Sequence, residues 1–201
     1  MKGECMAKSW SSAGGLEPRS YVCGHCSNPI ASEKGYFADE HGMRRSFIYI
    51  CHKCSNPTYF DNAGNQCPGA VFGQEVKHLP VDEVQSLYSE ARKCMTVNAY
   101  TGAVLCSRKL LMNIAVSKGA AEGLSFLEYV DHLASKGYVP PDGKEWVDHI
   151  RTKGNEATHQ IKIMKKEDAE DLITFVEALL KFIYEYPGII AERKKAATTK
   201  P

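Results

Sequence analysis

Two Cys-x-x-C pairs, Cys23 with Cys26 and Cys51 with Cys54, are the residues whose type and spacing most clearly do chemistry. They belong to an internal near-repeat. Tyr21-Val22-Cys23-Gly24-His25-Cys26-Ser27-Asn28-Pro29 returns as Tyr49-Ile50-Cys51-His52-Lys53-Cys54-Ser55-Asn56-Pro57. Each pair sets two sulfurs on one side of an ion, and four thiolates complete the tetrahedron that zinc takes in a structural site. With four protein ligands no position stays open for a reacting water, so the metal holds shape and does no catalysis. A redox reading of the pairs needs a strand–helix setting, and none is patterned here. Cys67 is a substitute ligand by type, and His25 or His52 less so; their ordinary readings are a free thiol and solvated imidazoles.

The elements around these ligands are short. Gly35–Ala38 and Ser46–Ile50 are apolar runs bounded by turn residues, which predicts strands. The 24 residues between Cys26 and Cys51 suffice for a hairpin reaching out and back. From Pro80 onward Gly and Pro thin out and the apolar period becomes helical. Val84, Leu87, Tyr88, Ala91 and Cys94 share one face, and Tyr100–Lys118 is apolar nearly all round, as in a central helix. Ser125 with Glu128, and Asp142 with Glu145, form two capping boxes. Gly137 stops the first of these helices, and a last helix from about Lys166 to Tyr186 ends at Pro187-Gly188.

The fold class is therefore α+β by segments, a small β zinc ribbon followed by an all-α helical bundle of about five helices. The division runs 1–19 disordered tail, 20–78 ribbon, 80–187 bundle and 188–201 disordered tail.

Composition narrows the function classes. A net charge of +1 gives no global pull toward nucleic acid or membrane, and no apolar run approaches the ~20 residues of a span. The opening residues carry two lysines without an apolar stretch, which fits a cytoplasmic protein. Paired cysteines in a reducing compartment favour metal over disulfide. Between Ser20 and His78 the 5 cations and 5 anions balance, and Arg44-Arg45 beside Phe47 and Tyr49 reads as a hairpin tip.

One stretch of the bundle also looks chemical: His149-Ile150-Arg151-Thr152-Lys153-Gly154-Asn155-Glu156-Ala157-Thr158-His159. From Arg151 to Lys166 there are five cations (Arg151, Lys153, Lys162, Lys165, Lys166) against one anion, Glu156. With the Ser107-Arg108-Lys109-Leu110-Leu111 helix before it and the long helix behind it, residues 80–186 resemble the HEPN superfamily. The nearest likeness is to an uncharacterised HEPN-like family associated with restriction and defence, found after a zinc ribbon. That resemblance implies a helical bundle acting on RNA without metal, two protomers building one site as a homodimer. It places Asn155 and His159 at the family's polar and His positions. Gly154 stands where the family has its Arg, and a missing cation at a developing phosphorane costs about 10²-fold or more in rate. Arg151 and Arg108 are the substitutes.

Read so, the chain is RNA- or nucleic-acid-directed in prokaryotic defence or stress, with a degenerate site and Lys153, Lys162, Lys165 and Lys166 holding phosphate. The alternatives are an active metal-independent ribonuclease using His159, and a protein-interaction adaptor subunit.

Overall fold

The structure is a computed structural model that describes residues 11–13, 15–40, 43–80, 83–139, 146, 148, 150 and 163–198. It divides into two compact units, Met1–Val71 and Phe72–Pro201.

The first unit is built from seven strands. These are β1 (Ser11–Ala13), β2 (Arg19–Val22), β3 (Pro29–Ser32), β4 (Gly35–Glu40), β5 (Met43–Ile50), β6 (Pro57–Phe60) and β7 (Gln66–Cys67). Five form an antiparallel sheet in the order β1-β4-β5-β6-β7, and β2 pairs with β3 as a separate hairpin. The expected disordered tail 1–19 carries strand β1 at Ser11–Ala13. β1 pairs with β4 through Ser11↔Phe37 and Ala13↔Gly35, and Leu16 is buried with its N–H on the Glu33 carbonyl. The burial of Leu16 explains the order of a Ser/Gly-rich stretch, because one side chain anchors it to Tyr49 and Phe60. Gly35 is required where it stands, since a Cβ there would collide with the Ile48 carbonyl of the neighbouring strand. Tyr21, Phe47, Tyr49 and Phe60 supply an aromatic cluster, with Tyr21 edge-on to Phe60 at 5.2 Å.

The second unit is helical: α1 (Glu83–Thr96), α2 (Tyr100–Ser117), α3 (Phe126–Ser135), α4 (Lys166–Leu180), one π-helical turn at Lys181–Glu185, and α5 (Tyr186–Thr198). As its all-round apolar pattern implies, α2 is central; Ala103, Leu110, Leu111, Ile114 and Ala115 are wholly buried. α3 starts at the predicted capping box, Ser125 accepting from the Glu128 N–H while Glu128 accepts from the Ser125 N–H. Gly137 follows its last turn at φ 75°, the left-handed conformation that suits glycine. The helix anticipated from Asp142 lies largely outside the described residues; Trp146 packs edge-on against Phe175 and Ile150 is buried.

Two stretches expected outside the bundle also belong to the unit. Phe72 to Leu79 runs over the helices as a strap, with Val76 in the core. Arg92 donates to the Phe72 and Gly73 carbonyls, Tyr88 donates to the Gln74 carbonyl, and the Gln74 N–H donates to Glu177. The second stretch is 188–198, expected as a disordered tail, which is helix α5. Pro187 does not end the helix because the π turn precedes it: the Tyr186 N–H reaches the Lys181 carbonyl, five residues back. An insertion of that kind accommodates a proline that an uninterrupted ladder would not.

Candidate metal centre

Each half of the near-repeat folds into the same object. β2 leads into Cys23–Cys26 and β3 leads out, and β5 and β6 do the same for Cys51–Cys54. The pairings Val22↔Pro29 and Ile50↔Pro57 close two hairpins with a Cys-x-x-C turn at each tip. In both turns the first cysteine donates its N–H to the Asn carbonyl (Cys23 to Asn28, Cys51 to Asn56, each 3.0 Å). Its own carbonyl accepts from the Ser N–H, at 2.8 Å for Ser27 and 2.9 Å for Ser55. Both serines sit at positive φ, 56° and 58°, which turns the chain sharply away from the sulfurs.

The two tips meet. Sγ of Cys23 is 3.7 Å from Sγ of Cys54, Sγ of Cys26 is 3.8 Å from Sγ of Cys51, and all four sulfurs lie within 4.8 Å of one another. A tetrahedron of thiolates about 2.3 Å from a central zinc has edges of about 3.8 Å, so the cluster has the dimensions of a zinc site. The four cysteines form a metal-binding site suited to structural zinc, as their spacing foretold.

The environments of the ligands alternate. Cys23 and Cys51 are fully buried beside Ile30, and Cys26 and Cys54 are only half-buried. Burial pushes the Cys23 thiol up to about 12. The Asn28 backbone N–H, then its side-chain amide, pulls Cys26 down to about 6. The Asn56 N–H lowers Cys54 in the same way. Such N–H donors stabilise thiolate and orient it toward the ion. The two asparagines were legible as part of the repeat, but their service to sulfur was not read from it.

The copies differ where the chain around them differs. Gly24 occupies the position that His52 fills in the second turn, and a Cβ at 24 would run into the carbonyl oxygens of Pro68 and Gly69. Gln66 holds that passing strand down by donating to the Val22 and Pro68 carbonyls. His25 donates from Nε2 to the Pro57 carbonyl at 3.0 Å, tying the first turn to the exit of the second. His52 lines a shallow cleft with Ser32, Lys34 and Ser55, where Ser32 is already committed to the Ile50 carbonyl. Cys67 is exposed in β7 and stands outside the metal cluster.

The second candidate site is not assembled among the described residues. Arg151, Lys153, Asn155, His159 and Lys162 lie outside them. Of the lysines expected to hold phosphate, Lys165 is placed by its N–H donating to Asp168, and Lys166 pairs with Glu170 one turn on at 3.5 Å. These are the contacts of a helix start. Arg108 is instead buried in α2, its guanidinium 4.2 Å above the Phe126 ring.

Comparison with known families decides the bundle's kinship. A family model described as "Domain of unknown function (DUF4145)" matches residues 89–200. No curated protein and no solved structure matches the chain. The match overturns the HEPN resemblance, because the family it identifies is a different one. The readings that rested on it fall too: RNA or nucleic acid as partner, a role in defence or stress, ribonuclease action through His159, and the implied homodimer. The physical reason is visible in the motif, where one Asn and one His at helical spacing carried the likeness and Gly154 stood in place of its essential cation.

Proposed function

We propose, from the premise that this chain belongs to the DUF4145 family, that it is a protein-binding module with a zinc-clamped platform rather than an enzyme. The observation that carries the reading is the closed four-cysteine cluster: thiolates at tetrahedral spacing, leaving the metal no free position. The ribbon's own core is small, with Leu16, Tyr49 and Phe60 in one cluster and Ile30 beside the cysteines in the other. A domain of that size needs a staple, and the ion is the staple.

Apolar surface supports a protein as the ligand. Phe182, Tyr186 and Ile190 recur one turn apart and are 54%, 46% and 53% exposed. A contiguous apolar stripe on a helix marks a contact surface more often than scattered apolar side chains do. No helix among the described residues is long and apolar enough to cross a membrane. The seven described cysteines are free of disulfides, which favours a reducing compartment such as the cytoplasm.

Two measurements test the reading. Cobalt substituted for zinc should show tetrathiolate charge-transfer bands that added azide leaves unchanged; a shifted spectrum would mean an open, reactive site. A photo-crosslinking residue at Tyr186, introduced into the full chain in cells, should capture one dominant protein, and the same residue at the exposed position Glu167 should not. Equal labelling at both positions would count against a protein-binding surface.

A further inference from the structure

Arg108 sits at the middle of the bundle's central helix, 8% exposed, beside Ser107, which is wholly buried. The Nη1 of Arg108 and the Oγ of Ser107 are both enclosed, and neither has a hydrogen-bond partner among the described residues. The guanidinium lies over the Phe126 ring at 4.2 Å. A π face offsets part of the lost hydration of a cation but accepts none of its in-plane N–H bonds. Among the described residues no carboxylate forms an ion pair with Arg108. Glu128, the nearest acid in sequence to Phe126, is turned back onto the Ser125 N–H and hydroxyl. Native structures seldom keep a buried guanidinium without an acceptor, since it loses hydration and receives nothing in return.

We propose that Arg108 is a receptor for a small oxyanion, a carboxylate or phosphate group carried by a slender ligand. The chemistry follows from the donor set. Arginine offers a planar fork of N–H donors and no acceptor, so its complement is a group with two or more adjacent anionic oxygens. The size follows from burial: a side chain 8% exposed is reached by a group of a few atoms, not by an extended polymer backbone. The ring of Phe126 lies against the cation's face, so the donors left for a ligand are the N–H groups in the guanidinium plane. This site is independent of the zinc platform and of the apolar stripe.

The test uses the zinc-loaded full chain. Its thermal midpoint, followed by helical circular dichroism, is measured against sodium phosphate, sodium acetate and sodium chloride at matched ionic strength. One or both oxyanions should raise the midpoint saturably where chloride does not. Phosphate alone identifies a phosphate-bearing ligand, and acetate alone a carboxylate. Arg108→Met should abolish the response, and Arg108→Lys should weaken it about tenfold, because the point charge stays while the fork is lost. If Arg108→Met does not fold, the Nε–H resonance of Arg108 in the wild type decides, and it should shift saturably with the same anion. Phosphate and acetate acting no differently from chloride, an unmoved resonance, or a full response in Arg108→Met would each overturn the proposal.

Discussion

The ribbon and the helical unit are held together by opposite means. In the ribbon four sulfurs drawn from two hairpin tips converge on one point, and the apolar clusters around them are small. In the helical unit the core is one continuous cluster running from Val76 to Ile183, with α2 at its centre. A point of convergence makes stability depend on a few atoms, whereas a distributed core spreads it over many side chains. The chain is therefore expected to fail in two separable ways.

Removing the metal is the largest blow. Cys51→Ser leaves three thiolates and should cost the ribbon a large part of the roughly 10–16 kcal/mol of metal-coupled folding energy that a complete site supplies. The mutant should hold far less zinc by elemental analysis while its helical circular dichroism persists. Simultaneous loss of both signals would show that the two units share one cooperative transition. The converse lesion lies in α2, where Leu111→Ala should cost about 2–5 kcal/mol by emptying a fully buried site. It should lower the helical unfolding midpoint and leave the cobalt tetrathiolate spectrum as it was.

Smaller changes sharpen the contrast within each unit. Gly24→Ala drives a methyl into the Pro68–Gly69 backbone and should cost about 1–3 kcal/mol, read as easier zinc loss to a competing chelator. His52→Ala, at the matching position of the second turn, should change that competition little. Equal effects at both positions would mean that the passing strand does not distinguish the turns. Ser125→Ala should cost the helical unit about 1 kcal/mol through the lost cap of α3. The Ser125 hydroxyl and N–H hold the Glu128 carboxyl below its ordinary 4.5. A lowered carboxyl stabilises the fold above its unfolded value, and that contribution disappears as pH falls through the folded one. The wild type should thus lose a small increment of stability below about pH 4.5, and Ser125→Ala, which keeps only the N–H contact, should show a smaller one.

The same contrast governs what could be read from the residues. The zinc site was legible because its ligands are local pairs repeated with their flanks, so spacing alone carries the geometry. Helices α1 to α4 were legible from their period, and α3 also from its cap and its glycine, whereas α5 was not. The strap from Phe72 to Leu79 was not, because it has no period and is held by distant partners such as Arg92 and Glu177. The order of Gly15–Arg19 hung on one side chain, Leu16, in a sequence otherwise typical of a mobile end. Arg108 was read as a substitute for the arginine that the resembled motif lacks; its burial depends on where Phe126 lands, which no local pattern encodes. Kinship was the least legible, because a two-residue motif is common by chance on any helix.

The π turn at Lys181–Glu185 has one more consequence, which concerns phase. Ile183 is buried, and on an unbroken α-helix residues three and seven further on would share its face. Those residues are Tyr186 and Ile190, and both are half-exposed. A π turn inserts about one extra residue and so rotates everything after it by about 100° about the axis. The last thirteen residues of helix thus behave like a key cut to a different angle from its shank, turned away from the bundle that the preceding helix serves. Deleting one residue from 181–185 would turn the key back and swing Tyr186 and Ile190 toward the side that Ile183 occupies.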